Sequence, residues 1–250
     1  MVGRGVIKQR IITALIALPL LILGVLYLDQ GIFAGVIFVV SGLALHEFYR
    51  MALPAQRRQE SMLAVAAGVL CSAGLVYAST VPAALLSLVL PCLFLALLYL
   101  FRVQDMQSVS RDLAISLLGI LYVPLLLSHV VLLRTLPTGR EWVLLVLFVV
   151  MASDTMAYFI GMRWGRHRLY EAVSPKKSVE GALGGLAGGV LGALLCRTLF
   201  FAELSGVDVL LIGLGVGAFS QLGDLVESLL KRRFGVKDSG TLIPGHGGLL

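Results

Sequence analysis

Charge is scarce in this chain. Of its 250 residues only 14% are Asp, Glu, Lys or Arg, where soluble domains carry about a quarter. With 58% hydrophobic residues and a mean hydropathy of +0.96, an ordinary water-soluble fold is excluded. Cysteine is also sparse. Cys71, Cys92 and Cys196 each stand in an apolar segment without C-x-x-C spacing, which excludes a disulfide framework and a thiolate zinc site. His46-Glu47-Phe48-Tyr49-Arg50 begins like a zinc motif, but no second His follows at the required spacing. There is no G-x-x-x-x-G-K-[ST] loop and no G-x-S-x-G elbow, so neither P-loop nor serine-hydrolase chemistry is indicated. Linkers rich in Pro, Ser or Gly, low-complexity tails and solenoid-length repeats are missing too. A single domain over 1–250 is expected, with N-terminal spans over about 1–112 and a motif-bearing half over about 113–250.

Long apolar runs are what the chain has instead. Eight segments are long enough to cross a hydrocarbon core as helices: Ile11–Leu28, Ile32–Tyr49, Met62–Ala78, Ala83–Phe101, Leu113–Leu133, Trp142–Ile160, Ala182–Phe201 and Val207–Leu230. The expected fold is all-α, a polytopic integral membrane helical bundle. The first segment follows basic residues but lacks a small-residue cleavage site, so it reads as a retained anchor. The connection Phe101–Asp112 reads as a short polar surface segment.

The net charge of +6 does not indicate nucleic-acid binding, because basic loops orient membrane helices. With the N-terminus in the cytoplasm, 17 of the 20 Lys and Arg residues fall on the cytoplasmic side, leaving Arg134, Arg140 and Arg197 opposite. The loops after the sixth and eighth spans then face the compartment that holds nucleotides.

Those loops carry the unusual residues. In the eighth span Ser220, Gln221, Asp224, Glu227, Ser228 and Lys231 share one helical face. Acids inside a membrane segment need a partner, water or a metal; the plain alternative is that they snorkel out and pair with Lys231. Lys231, Arg232, Arg233 and Lys237 suit phosphate oxygens, although basic residues after a span are common for orientation alone. Lys237-Asp238-Ser239-Gly240 and Pro244-Gly245-His246-Gly247-Gly248 follow. Glycine permits a positive φ and a close approach of backbone to ligand, and such turns form anion-binding nests. The sixth span ends Ser153-Asp154-Thr155-Met156-Ala157-Tyr158, placing Asp154 and Tyr158 one turn apart. Its loop leads to Ser174-Pro175-Lys176-Lys177-Ser178-Val179-Glu180-Gly181. In the seventh span Gly181, Gly185 and Gly189 form one i,i+4 series and Gly184, Gly188 and Gly192 another. Such spacing favours tight helix packing, within the chain or against a second copy in a homodimer.

The run from Ser228 to Gly248 resembles the signature of the phosphatidate cytidylyltransferases (CDP-diacylglycerol synthases), S-x-x-K-R-x4-K-D-x-G-x-x-x-P-x-H-G-G. The segments from Asp154 and Ser174 are similar to that family's D-T-x-A-Y-x-x-G and S-P-K-K-[ST]-x-E-G. The resemblance implies transfer of CMP from CTP to phosphatidate at the cytoplasmic face of a bacterial inner membrane, with Mg²⁺ or another divalent cation. It implies that Asp224 binds the metal. Lys231, Arg232 and Lys237 would steady the triphosphate, and Asp238 would order the loop or join the metal's outer shell. His246, Gly247 and Gly248 would shape a phosphate pocket; Ser174, Lys176, Lys177 and Ser178 would hold lipid phosphate or nucleotide. Asp154, Tyr158, Glu180 and Ser228 complete the expected substrate-binding set. The family signature runs on into D-R-x-D, whereas this sequence stops at Leu250; the expectation is a truncated enzyme of little activity. Other readings are a different CTP-dependent membrane lipid enzyme (polyprenol kinase-like, or an archaeal-type lipid cytidylyltransferase), an inactive relative, or a transporter using Asp154 and Asp224.

Overall fold

The computed structural model describes residues 4–103, 105–240 and 247–249. They divide into two compact units, Met1–Leu136 with Val236–Leu250, and Pro137–Gly235.

The N-terminal unit contains α1 (Arg4–Tyr27), α2 (Gln30–Ala52), α3 (Arg58–Tyr77), α4 (Val81–Phe101), α5 (Met106–Tyr122) and α6 (Pro124–Thr135). Polar residues between apolar runs start these helices by satisfying first-turn N–H groups. Asp29 accepts from the amides of Gly31 and Ile32 at 2.8 and 3.0 Å. Thr80 caps α4, whose Pro82 lies in the first turn and needs no donor there. Asp105 caps α5 through the amides of Gln107 and Ser108; these bonds stabilise its anion and hold the exposed carboxyl below its usual range.

The fifth expected span needs two corrections. It begins at Met106, so the supposed surface segment is only the residues just before it. It is also broken at Val123 into α5 and α6, because Pro124 has no N–H to donate and its ring crowds the preceding turn. Taken together, Met106–Thr135 is a 30-residue apolar stretch. Among the described residues seven helical segments are long and apolar enough to cross a membrane, with a shorter apolar stretch, Leu15–Tyr27, in α1.

Leu45, Ala64, Leu95, Ile120 and Val131 are buried at the centre of this unit. Between membrane helices, apolar burial supplies little net attraction, because lipid is as apolar as leucine. Polar pairs therefore matter more. Arg57, 2% exposed, binds Asp112, 1% exposed, through Nε at 3.2 Å. Its Nη1 donates to the Arg102 carbonyl at 2.9 Å and lies 3.6 Å from the buried Glu60. The Tyr49 hydroxyl donates to the Ser116 carbonyl at 2.6 Å, and its ring fills the space where a Cβ on Gly119 would stand. Asp112, expected on the surface, is thus one of the most deeply buried groups.

The C-terminal unit contains α7 (Gly139–Trp164), strands β1 (Arg168–Tyr170) and β2 (Ser174–Ser178), α8 (Val179–Leu199) and α9 (Gly206–Arg233). Both glycine series of α8 are buried. Cβ atoms on Gly188 and Gly192 would strike α7 at Ala152 and Met156, and one on Gly189 would meet the Gly213 carbonyl of α9. The expected tight packing is therefore made within the chain. Leu145, Val149, Ala193, Cys196 and Val209 close the core beside Phe201, on which the Trp142 ring stands edge-on at 5.0 Å. A Ser205–Asp208 capping box starts α9. The antiparallel β1–β2 hairpin is the element that the sequence reading missed.

Candidate active site

Three glycines bring the hairpin onto α7. The Cα of Gly161 lies 3.1 Å from where a Cβ on Gly181 would stand, and a Cβ on Gly165 would strike Ser178. Ser178 caps α8 by accepting from the Gly181 amide at 3.1 Å. The end of β2 is thereby held beside the polar face of α7. Glu180 fixes the other side of the hairpin. Its carboxylate accepts from the amides of Arg166 at 3.0 Å and His167 at 3.2 Å, and from the His167 ring at 2.6 Å.

The result is a cleft of 620 Å³, lined by Asp154 and Tyr158 of α7, Lys176, Lys177 and Ser178 of β2, and Gln221 and Asp224 of α9. Residues separated by up to 70 positions in sequence share this wall. Gln221 donates to the Ala182 and Gly217 carbonyls, each at 3.2 Å, which ties α9 to α8 one turn before Asp224. Lys177 reaches Asp224 at 2.5 Å, with Asp224 still 53% exposed. Asp154 lines the same cleft as this pair. Two carboxylates and two ammonium groups in one accessible cleft form a mixed-charge site, suited to phosphate on one side and a cation on the other.

The remaining sequence candidates are distributed differently. Ser174 opens β2 opposite Tyr170 and does not line the cleft. Ser228 is half-buried one turn beyond Asp224, and Arg232 is exposed on the last turn of α9. Lys231 forms an i,i+4 ion pair with Glu227, so the pairing considered for both acids holds for Glu227, while Asp224 takes Lys177.

Lys237, Asp238, Gly247 and Gly248 belong to the N-terminal unit, and His246 lies outside the described residues. Gly247 and Gly248 have φ of +82° and +130°, a region that side-chain-bearing residues avoid. A Cβ on Gly247 would also stand 2.5 Å from the Asp238 carboxylate. The Gly240 amide donates to the Gly247 carbonyl at 3.0 Å, so the two described ends of the signature loop meet.

They meet on a residue that sequence reasoning left unassigned. Glu47 of α2, 3% exposed, accepts from the Leu249 amide at 2.6 Å and from the Ser239 hydroxyl at 3.3 Å through Oε2. Its Oε1 has no hydrogen-bond donor among the described residues, and a Cβ on Gly240 would overlap it. The one available signal was a carboxylate inside an otherwise apolar span.

The sequence profile of the cytidylyltransferase family matches residues 8–250. A phosphatidate cytidylyltransferase of Synechocystis is 35% identical over 277 aligned positions, covering 97% of this chain and 90% of that one. The chain belongs to the cytidylyltransferase family. Phosphatidate cytidylyltransferases of Staphylococcus saprophyticus and Staphylococcus aureus are 40% and 39% identical, over alignments covering 56% of this chain and 53% of theirs.

Proposed function

We propose that the chain transfers CMP from CTP to phosphatidate, giving CDP-diacylglycerol and diphosphate, at the cytoplasmic face of a bacterial inner membrane. The observation that carries this reading is the convergence of Asp154, Asp224, Lys176 and Lys177 on one cleft, in a chain whose relatives are phosphatidate cytidylyltransferases. The excess of Lys and Arg in the loops bearing these residues supports the orientation.

The reaction needs no protein nucleophile. An oxygen of the phosphatidate phosphate attacks the α-phosphorus of CTP. The bond from that phosphorus to the bridging oxygen breaks, and its electron pair leaves with diphosphate. Binding and orientation of two polyanions and relief of their repulsion are the protein's share. Lys176 and Lys177 provide ammonium groups for phosphate oxygens, and Ser178 holds β2 in place through its cap. Arrival of phosphate would draw Lys177 from Asp224 and free that carboxylate. Lys231, Arg232 and Lys237 are assigned to the triphosphate, and Asp238 with Gly247 and Gly248 to ordering the signature loop.

A divalent cation fits this donor set. Among the described residues no three His, Cys, Asp or Glu side chains gather as a ready cage. Mg²⁺ does not require one, since it commonly binds through one or two carboxylates plus substrate phosphates and water. Asp154 and Asp224 would hold it, and it would supply neutralisation of phosphate charge.

The test uses the purified chain in detergent with phosphatidate, Mg²⁺ and CTP labelled at either the α or the γ phosphate. Label from the α position in extractable lipid, with release of diphosphate, is expected. Transfer of the γ label to lipid would replace this reading with a kinase, and no transfer from either position would oppose it.

A further inference from the structure

We propose that the N-terminal unit holds an anionic glycerolipid by its phosphate headgroup, in a cleft between the start of α3 and the end of α4. This cleft is the larger one, 780 Å³, and its polar wall is Gln56, Arg58, Gln59, Glu60 and Arg102. None of these residues takes part in the proposed transfer.

The site is built on buried charge. Arg57 stands beneath it, tied to Asp112 and stacked over the Tyr99 ring at 5.2 Å. By donating to the Arg102 carbonyl, Arg57 fixes the backbone from which the Arg102 guanidinium projects. That guanidinium takes the Gln59 side-chain oxygen at 2.9 Å and sits 4.0 Å from Glu60, so it is held across the mouth of the cleft. Arg58 is exposed. Among the described residues the connected group sets four arginines, Arg57, Arg58, Arg102 and Arg111, against three carboxylates, Glu60, Asp112 and Asp105, the last facing Arg111. The surplus is positive, and guanidinium forks match phosphate oxygens.

The setting selects a lipid over a soluble phosphate. Consecutive spans run in opposite directions, so the start of α3 and the end of α4 lie at one membrane face, where basic pockets between helices take anionic headgroups. Beside the arginines the surface turns apolar: Met62 and Val103 line the cleft, and Phe101 next to them is 81% exposed. Headgroup and acyl chains thus each find matching chemistry within one turn of helix.

The test is native mass spectrometry of the full chain in detergent with added phosphatidylglycerol or phosphatidylcholine. Phosphatidylglycerol is neither substrate nor product of the proposed transfer, so failure of that reading leaves this test intact. Wild-type protein should retain phosphatidylglycerol in preference to phosphatidylcholine. Arg58→Gln with Arg102→Gln should weaken that retention about tenfold, while Arg140→Gln, an exposed arginine elsewhere, should leave it unchanged. Equal retention of the two lipids by wild type, unchanged retention in the double variant, or an equal loss in Arg140→Gln would overturn the proposal. Full displacement of the lipid by equimolar glycerol phosphate would also overturn it, by showing that acyl chains contribute nothing.

Discussion

The two units solve the packing problem of membrane helices in opposite ways. The N-terminal unit buries charge: Arg57, Glu60 and Asp112 are enclosed and mutually paired. The C-terminal unit buries glycine and leaves its charges in an accessible cleft. Paired buried charges cannot move without a large penalty, so they suit a scaffold. Close backbone packing asks nothing of side-chain charge, and it leaves Asp154, Lys177 and Asp224 on the wall of a cleft, where Lys177 and Asp224 pair with each other. The difference teaches where to look for chemistry in such a bundle. The candidates are charges that packing does not consume.

The sharpest way to break this contrast is Gly189→Leu. A side chain there runs into the Gly213 backbone of α9, which cannot step aside as a side chain could. A loss of more than about 5 kcal/mol is expected, seen as failure to yield a monodisperse folded protein. Gly223→Ala, with open space around it, should fold normally. Wild-type melting of the Leu variant would refute the glycine account.

Next is Arg57→Met, which takes the buried partner from Asp112 and Glu60 and leaves them only the more exposed Arg111 and Arg102. It should cost about 3–5 kcal/mol, and a double replacement, Arg57→Met with Asp112→Leu, should recover part of that. If the double variant is worse than the single, the pair is not what holds α5 in place.

A smaller effect is expected from Glu47→Gln. It keeps the shape but removes the charge that receives the Leu249 amide, a bond worth about 1.5–3 kcal/mol. Faster hydrogen exchange at Leu249 and a fall in transfer of about tenfold are expected, with α2 intact. Unchanged exchange would mean that Glu47 does not anchor the signature loop.

The smallest change belongs to Asp105→Ala. Because the folded carboxyl titrates below its usual range, its contribution is present above about pH 4, the ordinary value for Asp, and is lost as pH falls through the lowered one. The thermal midpoint should therefore drop slightly at neutral pH, and the gap to wild type should close under acid. A gap independent of pH would rule out the charged cap.

Much of this was legible in the sequence, and the gaps have physical causes. Apolar run length gave the helices, since a bilayer imposes a length. The face of α9 that carries Gln221, Asp224 and Glu227 followed from helical spacing, and Asp154 and Tyr158 likewise. The break at Pro124 lay inside an unbroken apolar run, where proline does not always interrupt a span. Asp112 looked like surface because its partner Arg57 is 55 residues away, and no periodicity links them. Glu47 was harder still, bonded to Leu249 across 202 positions. The hairpin between α7 and α8 was hidden by its polarity: a strand reading SPKKS lacks the alternation that marks a half-buried strand.

The most direct measurement of the central claim is transfer of α-labelled CMP into phosphatidate by wild type and by Asp224→Asn, matched for folded protein. The substitution keeps size and removes the carboxylate that faces Lys177. Transfer should fall by at least about a hundredfold, the scale seen when a group that stabilises developing charge is lost. Turnover near the wild-type rate in Asp224→Asn would contradict the assignment of the chemistry to this cleft.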